Sequence, residues 1–453
     1  MLAERRKVIG YSQERLAELL GVERSTVGRW EAGETSPQPW CRPKLAKALA
    51  VSVDELDILL TSGATAAPQE GSQWPGGDMA AELAEDPEHD PVLIAPWSHR
   101  GTVEVAVVLG DGDQPVKRRG FAVLSGLALT APAHQWLIQQ PGPLVSGLSG
   151  RRVSLALADQ FVAMIAELRA MDDLAGGGTV LSLAREHFGM IAGLLDQASY
   201  DEPTGRRLLV ALAELGQLVG WAAFDAGRHG LAQRYYLAGL RAAHSADDRP
   251  LGAHILGSMA YQAAREGHPG EAITLIDTAM TGARGRATPR LLALLHSHQA
   301  YALATLGDSS GCTAAITKAR DQADRATPEG DLPCLYWVGP ADVTAWAGRC
   351  LLTLGKAGQA AALLEEGIAL LDESFVRNRQ HYLIRHAEAL IHPGPQRDLE
   401  AALEHGTAAL DLSRHLDSTQ SADLQNLVNQ LGPHATVPAV RDFMDRTRDL
   451  ITV

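Results

Sequence analysis

"GWAAFDAGRHGLA", residues 220–232, is the first of three segments that align without a gap along this chain. The second is "AYQAAREGHPGEA" at 260–272 and the third is "AYALATLGDSSGC" at 300–312, so the period is 40 residues. Each segment begins with a small residue and has a glycine at its eighth position, namely Gly227, Gly267 and Gly307. A period of this length is typical of helical hairpins that stack on one another. The sequence therefore predicts successive helices through the region 151–453.

Two later segments continue the pattern. "GRCLLTLGKAGQA" (348–360) keeps the spacing, and "AEALIHPGPQRDLEAA" (387–402) has a longer turn. The spacing resembles the tetratricopeptide repeat, in which small residues lie where two antiparallel helices touch and a glycine lies in the turn between them. The resemblance implies an α-solenoid with a concave face that binds peptides, proteins or small ligands. We therefore expect residues 151–453 to form a tetratricopeptide-repeat-like effector and dimerisation domain.

The residue after each small residue is aromatic in the first three segments and polar in the next two. A ligand site in the groove would use these positions together with histidines one helical turn away, and its candidates are Trp221, Tyr261, Tyr301, Arg349, Glu388, His254 and His381. Glu214, Gln217 and Ser297 are placed to face the same groove. Packing of helix against helix is the favoured interpretation of the rings, and ligand binding remains the alternative. In "RNRQHYLIRHAEAL" (377–390) a solvated basic face is favoured over an anion anchor.

The N-terminal region carries a second, different pattern. "SQERLAELL" (12–20) predicts a helix with Ser12 as its N-cap, Gly21 gives a sharp turn, and residues 23–32 predict a second helix. The face that remains outward on the second helix carries arginine and hydroxyl side chains near its N-terminus, at Arg24, Ser25, Thr26 and Arg29. Such a face suits insertion into the major groove of DNA, where arginine pairs with guanine and hydroxyls contact phosphates or base edges.

Residues 5–59 resemble the Xre/Cro-type family of phage and bacterial repressors through "RR" (5–6), "YSQERLAELLGV" (11–22), "STVGRWEAG" (25–33) and "LAKALAVSVDEL" (45–56). The resemblance implies an all-α, five-helix helix-turn-helix domain at 1–60. It also implies that Arg24, Ser25 and Arg29 reach base edges, that Gln13 holds a phosphate, and that Arg6 and Glu31 form a buried ion pair. Arg42 and Lys44 are further candidates for phosphate contacts.

The order of the parts also resembles a group of actinobacterial regulators with an Xre-type head, a connector and a tetratricopeptide body. "APWSHRGTVEV", "KRRGFAVLSGLALTAPAHQWL" and "LRAMDDLAGGG" carry this likeness. Between head and body we expect a flexible linker at 61–91 and connector helices at 92–150. The connector pattern predicts helices at 98–109 and 118–130 with Trp97 and Trp136 as packing anchors, and "DDLAGGGTVL" (172–181) predicts a loop.

The charge of the chain bears on how it binds DNA. The chain has 40 Lys+Arg against 54 Asp+Glu, a net charge of −14, yet residues 1–50 hold nine basic and six acidic residues. A modestly basic head binds phosphate weakly as a single copy, so we expect a homodimer in which two heads act together.

No enzymatic pattern stands out. "REHFGM" (185–190) lacks the second histidine of a zinc-protease helix, "HSHQ" (296–299) has no nearby carboxylate, and Cys41, Cys312, Cys334 and Cys350 are scattered. We therefore expect no enzyme, no cofactor and no metal, in a cytoplasmic and nucleoid-associated protein. The sequence predicts a sequence-specific transcriptional regulator whose body dimerises and binds a peptide, small-molecule or protein effector. The alternative is a protein-interaction scaffold that its head tethers to double-stranded DNA.

Overall fold

The structure of the chain is a computed structural model. It describes residues 6, 12–20, 22, 24–32, 37, 41, 44–45, 90–111, 123–142, 150–175, 177–394, 397–412 and 418–451. Contacts between Cα atoms divide the chain into two compact units, Met1–Gly76 and Gly77–Val453. The predicted linker at 61–91 lies almost entirely outside the described residues.

The first unit contains two short helices, α1 (Gln13–Leu20) and α2 (Arg24–Ala32), with a bend at Val22 between them. Ser12 caps α1, because its Oγ accepts the backbone N–H of Arg15 at 3.1 Å, as the sequence predicts. Leu16, Val27 and Trp30 are buried between the helices. The helix–turn–helix is therefore confirmed, whereas the remaining three helices of the predicted five-helix domain lie outside the described residues.

The second unit, over its described residues, is built from helices and one isolated β-bridge between Arg152 and Ser199. Its helices are α3 (Pro91–Ile94), α4 (His99–Gly110), α5 (Leu127–Ile138), α6 (Leu155–Ala175), α7 (Gly177–Gln197), α8 (Glu202–Asp225), α9 (His229–Ser245), α10 (Arg249–Arg265), α11 (Pro269–Gly282), α12 (Pro289–Thr305), α13 (Ser309–Ala323), α14 (Pro340–Thr353), α15 (Ala357–Leu370), α16 (Val376–Ile391), α17 (Leu399–Leu412), α18 (Ser418–Leu431) and α19 (Pro438–Ile451). Short 3₁₀ turns span Pro333–Leu335 and Gly432–His434.

Consecutive helices pair as antiparallel hairpins, and small residues lie where they touch. A Cβ added to Gly216 of α8 would lie 2.7 Å from the Cα of Gly239 in α9, and one added to Gly220 would lie 2.5 Å from the ring of Tyr236. In the α14/α15 hairpin, a Cβ on Gly348 would lie 2.7 Å from Leu364. These approaches leave no room for a side chain, so the small residues that begin the repeated segments are required by packing.

The turn glycines of the repeat also have a structural reason. Gly227, Gly267, Gly307 and Gly355 all have left-handed φ angles, at 70°, 84°, 80° and 72°. An L-residue with a side chain is strained in this region of the backbone map. The glycines therefore end the first helix of each hairpin and recur in phase because each hairpin is closed by the same turn.

The first helices of successive hairpins also contact one another, from α8 through α10, α12 and α14 to α16. In addition, α6 contacts α16 and α8 contacts α18, so helices far apart in the sequence meet beside this row. Helix α8 is the one described helix long and apolar enough to cross a membrane, but 89% of the apolar stretch is buried inside the unit. Its buried apolar side chains belong to the main hydrophobic cluster of the second unit.

The connector region corrects one prediction and confirms another. Helix α4 begins after Ser98, whose Oγ accepts the N–H of Gly101 at 3.2 Å, close to the predicted 98–109. The second helix is Leu127–Ile138 rather than 118–130; residues 123–126 are not helical, and 118–122 lie outside the described residues. The displacement is caused by tertiary contacts. Trp136 is fully buried between α10 and α11, where Gly252 leaves space for its ring, and this burial fixes the position of α5.

The loop predicted at 172–181 is wrong. Helix α6 runs to Ala175 and α7 begins at Gly177, so both helices extend through most of that stretch. Asp172 on one side and Val180 and Leu181 on the other are buried, and their burial outweighs the low helix propensity of the glycines. The other predicted anchor, Trp97, is partly buried with its ring 5.3 Å from that of His244 and under the guanidinium of Arg241.

Candidate functional site

The outer face of α2 carries the side chains predicted to read DNA. Arg24, Ser25 and Arg29 are exposed, while Thr26 is half-buried and accepts a hydrogen bond from Nη2 of Arg29 at 3.4 Å. Val27 and Trp30 point the opposite way into the core. Helix packing thus leaves two cations and two hydroxyls together on one face, the composition expected of a major-groove surface.

The remaining predicted DNA contacts are placed less completely. Gln13 lies at the start of α1 beside α2, since a Cβ on Gly28 would lie 4.0 Å from its amide nitrogen. Lys44 is exposed and Arg6 is buried. Arg42 and the side chain of Glu31 lie outside the described residues, so the expected Arg6–Glu31 pair stays a prediction.

A cavity of about 140 Å³ lies beside the first helices of the hairpins in the second unit. Five of the seven predicted groove residues line it, namely Trp221, His254, Tyr261, Arg349 and His381. The other two, Tyr301 and Glu388, do not line it but contact residues that do. The guanidinium of Arg349 lies 4.4 Å from the ring centroid of Tyr301, and Glu388 accepts a hydrogen bond from Arg385 at 2.7 Å.

Aromatic rings form a continuous wall on one side of this cavity. Trp221 stacks on Tyr261 with centroids 5.8 Å apart, and Tyr261 stacks on His298 at 5.4 Å. Trp346 meets the rings of both Tyr261 and His298, at 5.2 and 5.1 Å. The three aromatic residues at the 40-residue period are thus neighbours, since the ring centroid of Tyr301 also lies 5.9 Å from that of Tyr261. Trp221 and Tyr261 line the cavity, whereas Tyr301 packs on Tyr261 without lining it.

Arg349 lies against this wall. Its Nη1 donates to the hydroxyl of Tyr261 at 2.9 Å, and its guanidinium lies within 5.3 Å of the ring centroids of Tyr261, Tyr301 and Trp346. Its Nε and Nη2 are buried and have no hydrogen-bond partner in the described part of the chain. The ring faces attract the cation, but they do not replace the hydrogen bonds of these two donors.

The other walls contain buried ion pairs, which corrects the solvated face favoured for 377–390. Arg377 of α16 lies 3.0 Å from Asp172 of α6 and also pairs with Asp225 of α8. Arg385 pairs with Glu388 at 2.7 Å and with Asp423 of α18 at 2.5 Å. The two arginine side chains are at most 15% exposed, because the contacts of α16 with α6 and of α8 with α18 enclose them.

Burial also sets the charge of the titratable groups. It lowers the pKa of His254 to about 3, assisted by Arg169 and His298, and it lowers the pKa of His298 to about 3. Both imidazoles are therefore neutral at physiological pH. Burial raises the pKa of Asp342 to about 6, although its carboxylate accepts hydrogen bonds from Tyr382 at 2.7 Å and Asn378 at 2.8 Å.

Sequence reasoning missed one row of cavity residues that the same repeat contains. The residues concerned lie three positions before the residue that follows each small residue of the repeated segments. They are Leu218, Ser258, His298, Trp346 and Arg385, and all five line the cavity. Extending the 40-residue comparison by one helical turn would have found them. Asp172, Tyr336 and Asp423 also line the cavity but lie outside the repeated segments, so no periodic signal marks them.

Metal binding has no structural support in the part of the chain that the structure describes, where no group of three or more His, Cys, Asp or Glu is placed to hold an ion. The four cysteines are buried and unbridged.

Comparison with known proteins assigns the first unit. A family model described as helix-turn-helix matches residues 2–56. No curated protein matches the chain. Residues 2–56 thus carry an Xre-type helix-turn-helix domain, typical of DNA-binding regulators, and the helical second unit is consistent with a tetratricopeptide-like part.

Proposed function

We propose that this protein is a sequence-specific transcriptional regulator that places α2 in the major groove of its operator. The observation that carries the proposal is the helix-turn-helix match at 2–56, together with the exposure of Arg24, Ser25 and Arg29 on one face of α2. In this proposal Arg24 and Arg29 contact base edges, Ser25 and Thr26 contact bases or phosphates, and Gln13, Arg42 and Lys44 hold the DNA backbone. The protein acts in the cytoplasm on the nucleoid.

The second unit is proposed to be a tetratricopeptide-like α-solenoid that dimerises the protein and binds an effector. The in-phase turn glycines, the contacts between successive first helices and the cavity beside them support this role. A dimer would bind DNA more tightly than a single modestly basic head on an acidic chain, because two linked half-site contacts raise avidity. The effector controls transcription only insofar as it binds one arrangement of the heads more tightly than another.

The test is selection of genomic DNA fragments on the purified full-length protein. The variant Arg24→Ala/Arg29→Ala removes two cations from α2, and Arg100→Ala/Arg286→Ala removes two exposed cations from the second unit as a matched control. We expect enrichment of an inverted repeat with half-sites about one helical turn apart, retained in the control and lost in the α2 variant.

Two results would reject parts of the proposal. Enrichment that survives in the α2 variant would mean that α2 does not read the operator. The dimer would be rejected if the selection enriched a single half-site and light scattering at the same concentration gave a monomeric mass for the full-length protein. Capture of a protein partner by the second unit without any operator selection would favour the scaffold instead.

A further inference from the structure

The cavity is electrically asymmetric, and its aromatic end is basic. Arg265, Arg349 and Arg385 converge there on two carboxylates, Asp423 and Glu388: Arg265 lies 3.3 Å and Arg385 2.5 Å from Asp423. Arg385 also satisfies Glu388 at 2.7 Å. Within the described residues, no carboxylate lies within 4.0 Å of Arg349. This end therefore has one guanidinium more than it has carboxylates.

Tyr301 lies close to the same three arginines and is affected by their charge. Burial by itself raises the pKa of a tyrosine, yet the pKa of Tyr301 is lowered because Arg349, Arg265 and Arg385 outweigh its burial. The nearby imidazoles of His254 and His298 do not add to this charge, since both are neutral. The positive potential at this end thus comes from the arginines, and a cation entering it would be repelled.

The charge of Arg349 favours an anion in the cavity. Arg349 lines the cavity and is only partly buried. Its Nη1 donates to Tyr261, and its Nε and Nη2 are enclosed in the protein without a partner in the described part of the chain. A ligand carboxylate would therefore be held by the charge of the guanidinium, which no described carboxylate within 4.0 Å neutralises.

The opposite end of the cavity is acidic. Asp172 and Asp225 share Arg377, Glu214 lies 3.8 Å from Arg169, and Asp173 accepts a hydrogen bond from Tyr336. Four carboxylates thus accompany two arginines at this end, and Asp172 and Asp173 line the cavity itself. A second negative charge on a ligand would meet these groups, so a dicarboxylate is disfavoured.

The size of the cavity sets the size of the ligand. Its volume is about 140 Å³, close to that of engineered protein cavities of about 150 Å³ that hold one benzene molecule. Trp221, Tyr261 and Trp346 provide ring surfaces for offset or edge-to-face contacts with such a ring.

We propose that the cavity binds a single-ring aromatic monocarboxylate, with the carboxylate at the basic end beside Arg349 and the ring against Trp221, Tyr261 and Trp346. This ligand class rests on the proposed effector function and narrows it from peptides and proteins to small aromatic acids. Arg349 selects for the anion, the aromatic wall selects for the planar ring, and the acidic end rejects a second carboxylate.

The test is calorimetric titration of the full-length protein without DNA, using benzoate, benzene-1,4-dicarboxylate and benzylamine as probes. We expect benzoate to bind, and the dicarboxylate and the ammonium to bind at least tenfold more weakly. Arg349→Gln should weaken benzoate binding about tenfold or more, because it removes the charge that attracts the carboxylate. Arg349→Lys should bind benzoate more tightly than Arg349→Gln and less tightly than the wild type, since it keeps the charge and loses the planar guanidinium that lies over the rings. The matched control Arg100→Gln, an exposed arginine on α4, should bind as the wild type does.

If an Arg349 variant fails to fold, the relative affinities of the wild-type protein for the three probes still test the proposal. Benzylamine binding as well as benzoate, or no benzoate binding at all, would overturn the proposal while leaving operator binding by the head untouched. Benzoate binding that depends on Arg349 supports the site. If operator affinity were then the same with and without saturating benzoate, the site would stand and its role as an effector site would fail.

Discussion

The neutral His254 in the cavity wall makes the stability of the second unit depend on pH in a calculable way. Its pKa is about 3 in the folded protein, because burial and the neighbouring Arg169 and His298 oppose the charged form. In the unfolded chain it is about 6.5. The stabilising contribution is therefore complete above pH 6.5 and is lost as the pH falls from 6.5 towards 3.

The magnitude at an intermediate pH follows from these two values. At pH 5 the unfolded chain binds a proton at this residue and the folded chain does not. The pH lies about 1.5 units below the unfolded pKa, which corresponds to a loss of about 2 kcal/mol in the free energy of unfolding. His254→Gln removes the titrating group, so the variant should lose about 2 kcal/mol less than the wild type between pH 7.5 and pH 5.

Urea titration of the full-length protein, followed by tryptophan fluorescence, measures this difference directly. Trp221, Trp337 and Trp346 line the same cavity and report its loss on unfolding. Any fixed cost of the substitution appears at both pH values and cancels in the comparison. His134→Gln, at an exposed residue of α5, is the matched control and should follow the wild type. Equal losses in the wild type and His254→Gln would refute a neutral buried imidazole.

Three further predictions concern the head, a hairpin and a buried carboxyl group. Arg29→Ala should weaken binding to the selected operator by about 1–3 kcal/mol, measured by fluorescence anisotropy, and unchanged affinity would remove Arg29 from the reading face. Gly216→Ala should cost about 1–3 kcal/mol in thermal unfolding, because the new Cβ would lie 2.7 Å from the Cα of Gly239. Gly193→Ala, where nothing lies within 4 Å, should not destabilise α7. For Asp342 the raised pKa of about 6 means that its own contribution to the free energy of unfolding falls by about 3 kcal/mol as the pH rises from about 4 to about 6, opposite in sign to the contribution of His254. In urea titrations, the free energy of unfolding of the wild type minus that of Asp342→Asn should therefore decrease by about 3 kcal/mol over this range.

Local patterns predicted the helix-turn-helix and the repeated hairpin turns. Ser12 and the apolar residues of 12–32 predict α1 and α2 because capping and helix periodicity are properties of neighbouring residues. The glycines at 227, 267 and 307 predict the hairpin turns because each needs a left-handed φ angle that favours glycine. The 40-residue period also places Trp221, Tyr261 and Tyr301 next to one another, since equivalent residues of stacked hairpins are neighbours.

Elements fixed by distant contacts were predicted less well. The helix predicted at 118–130 is displaced to Leu127–Ile138 because Trp136 inserts between α10 and α11, more than a hundred residues away. The glycines of 176–178 suggested a loop, whereas buried neighbours extend α6 and α7 towards them. Local propensity is worth less than about 1 kcal/mol per residue, and tertiary burial overrides it.

The sequence by itself determined that the described part of the chain is helical, that residues 2–56 carry a helix-turn-helix, and that the hairpin turns repeat. These features follow from residues within one or two helical turns of one another. Only the tertiary structure decided the chemistry of the cavity. Asp172 and Asp423 reach it from α6 and α18, and they turn the arginines of α16 from an apparent solvated face into buried ion pairs. Arg349 lines the cavity with no described carboxylate within 4.0 Å, so its charge is left to attract a ligand. Such pairing depends on which distant helices meet, and no local pattern of residue types encodes it.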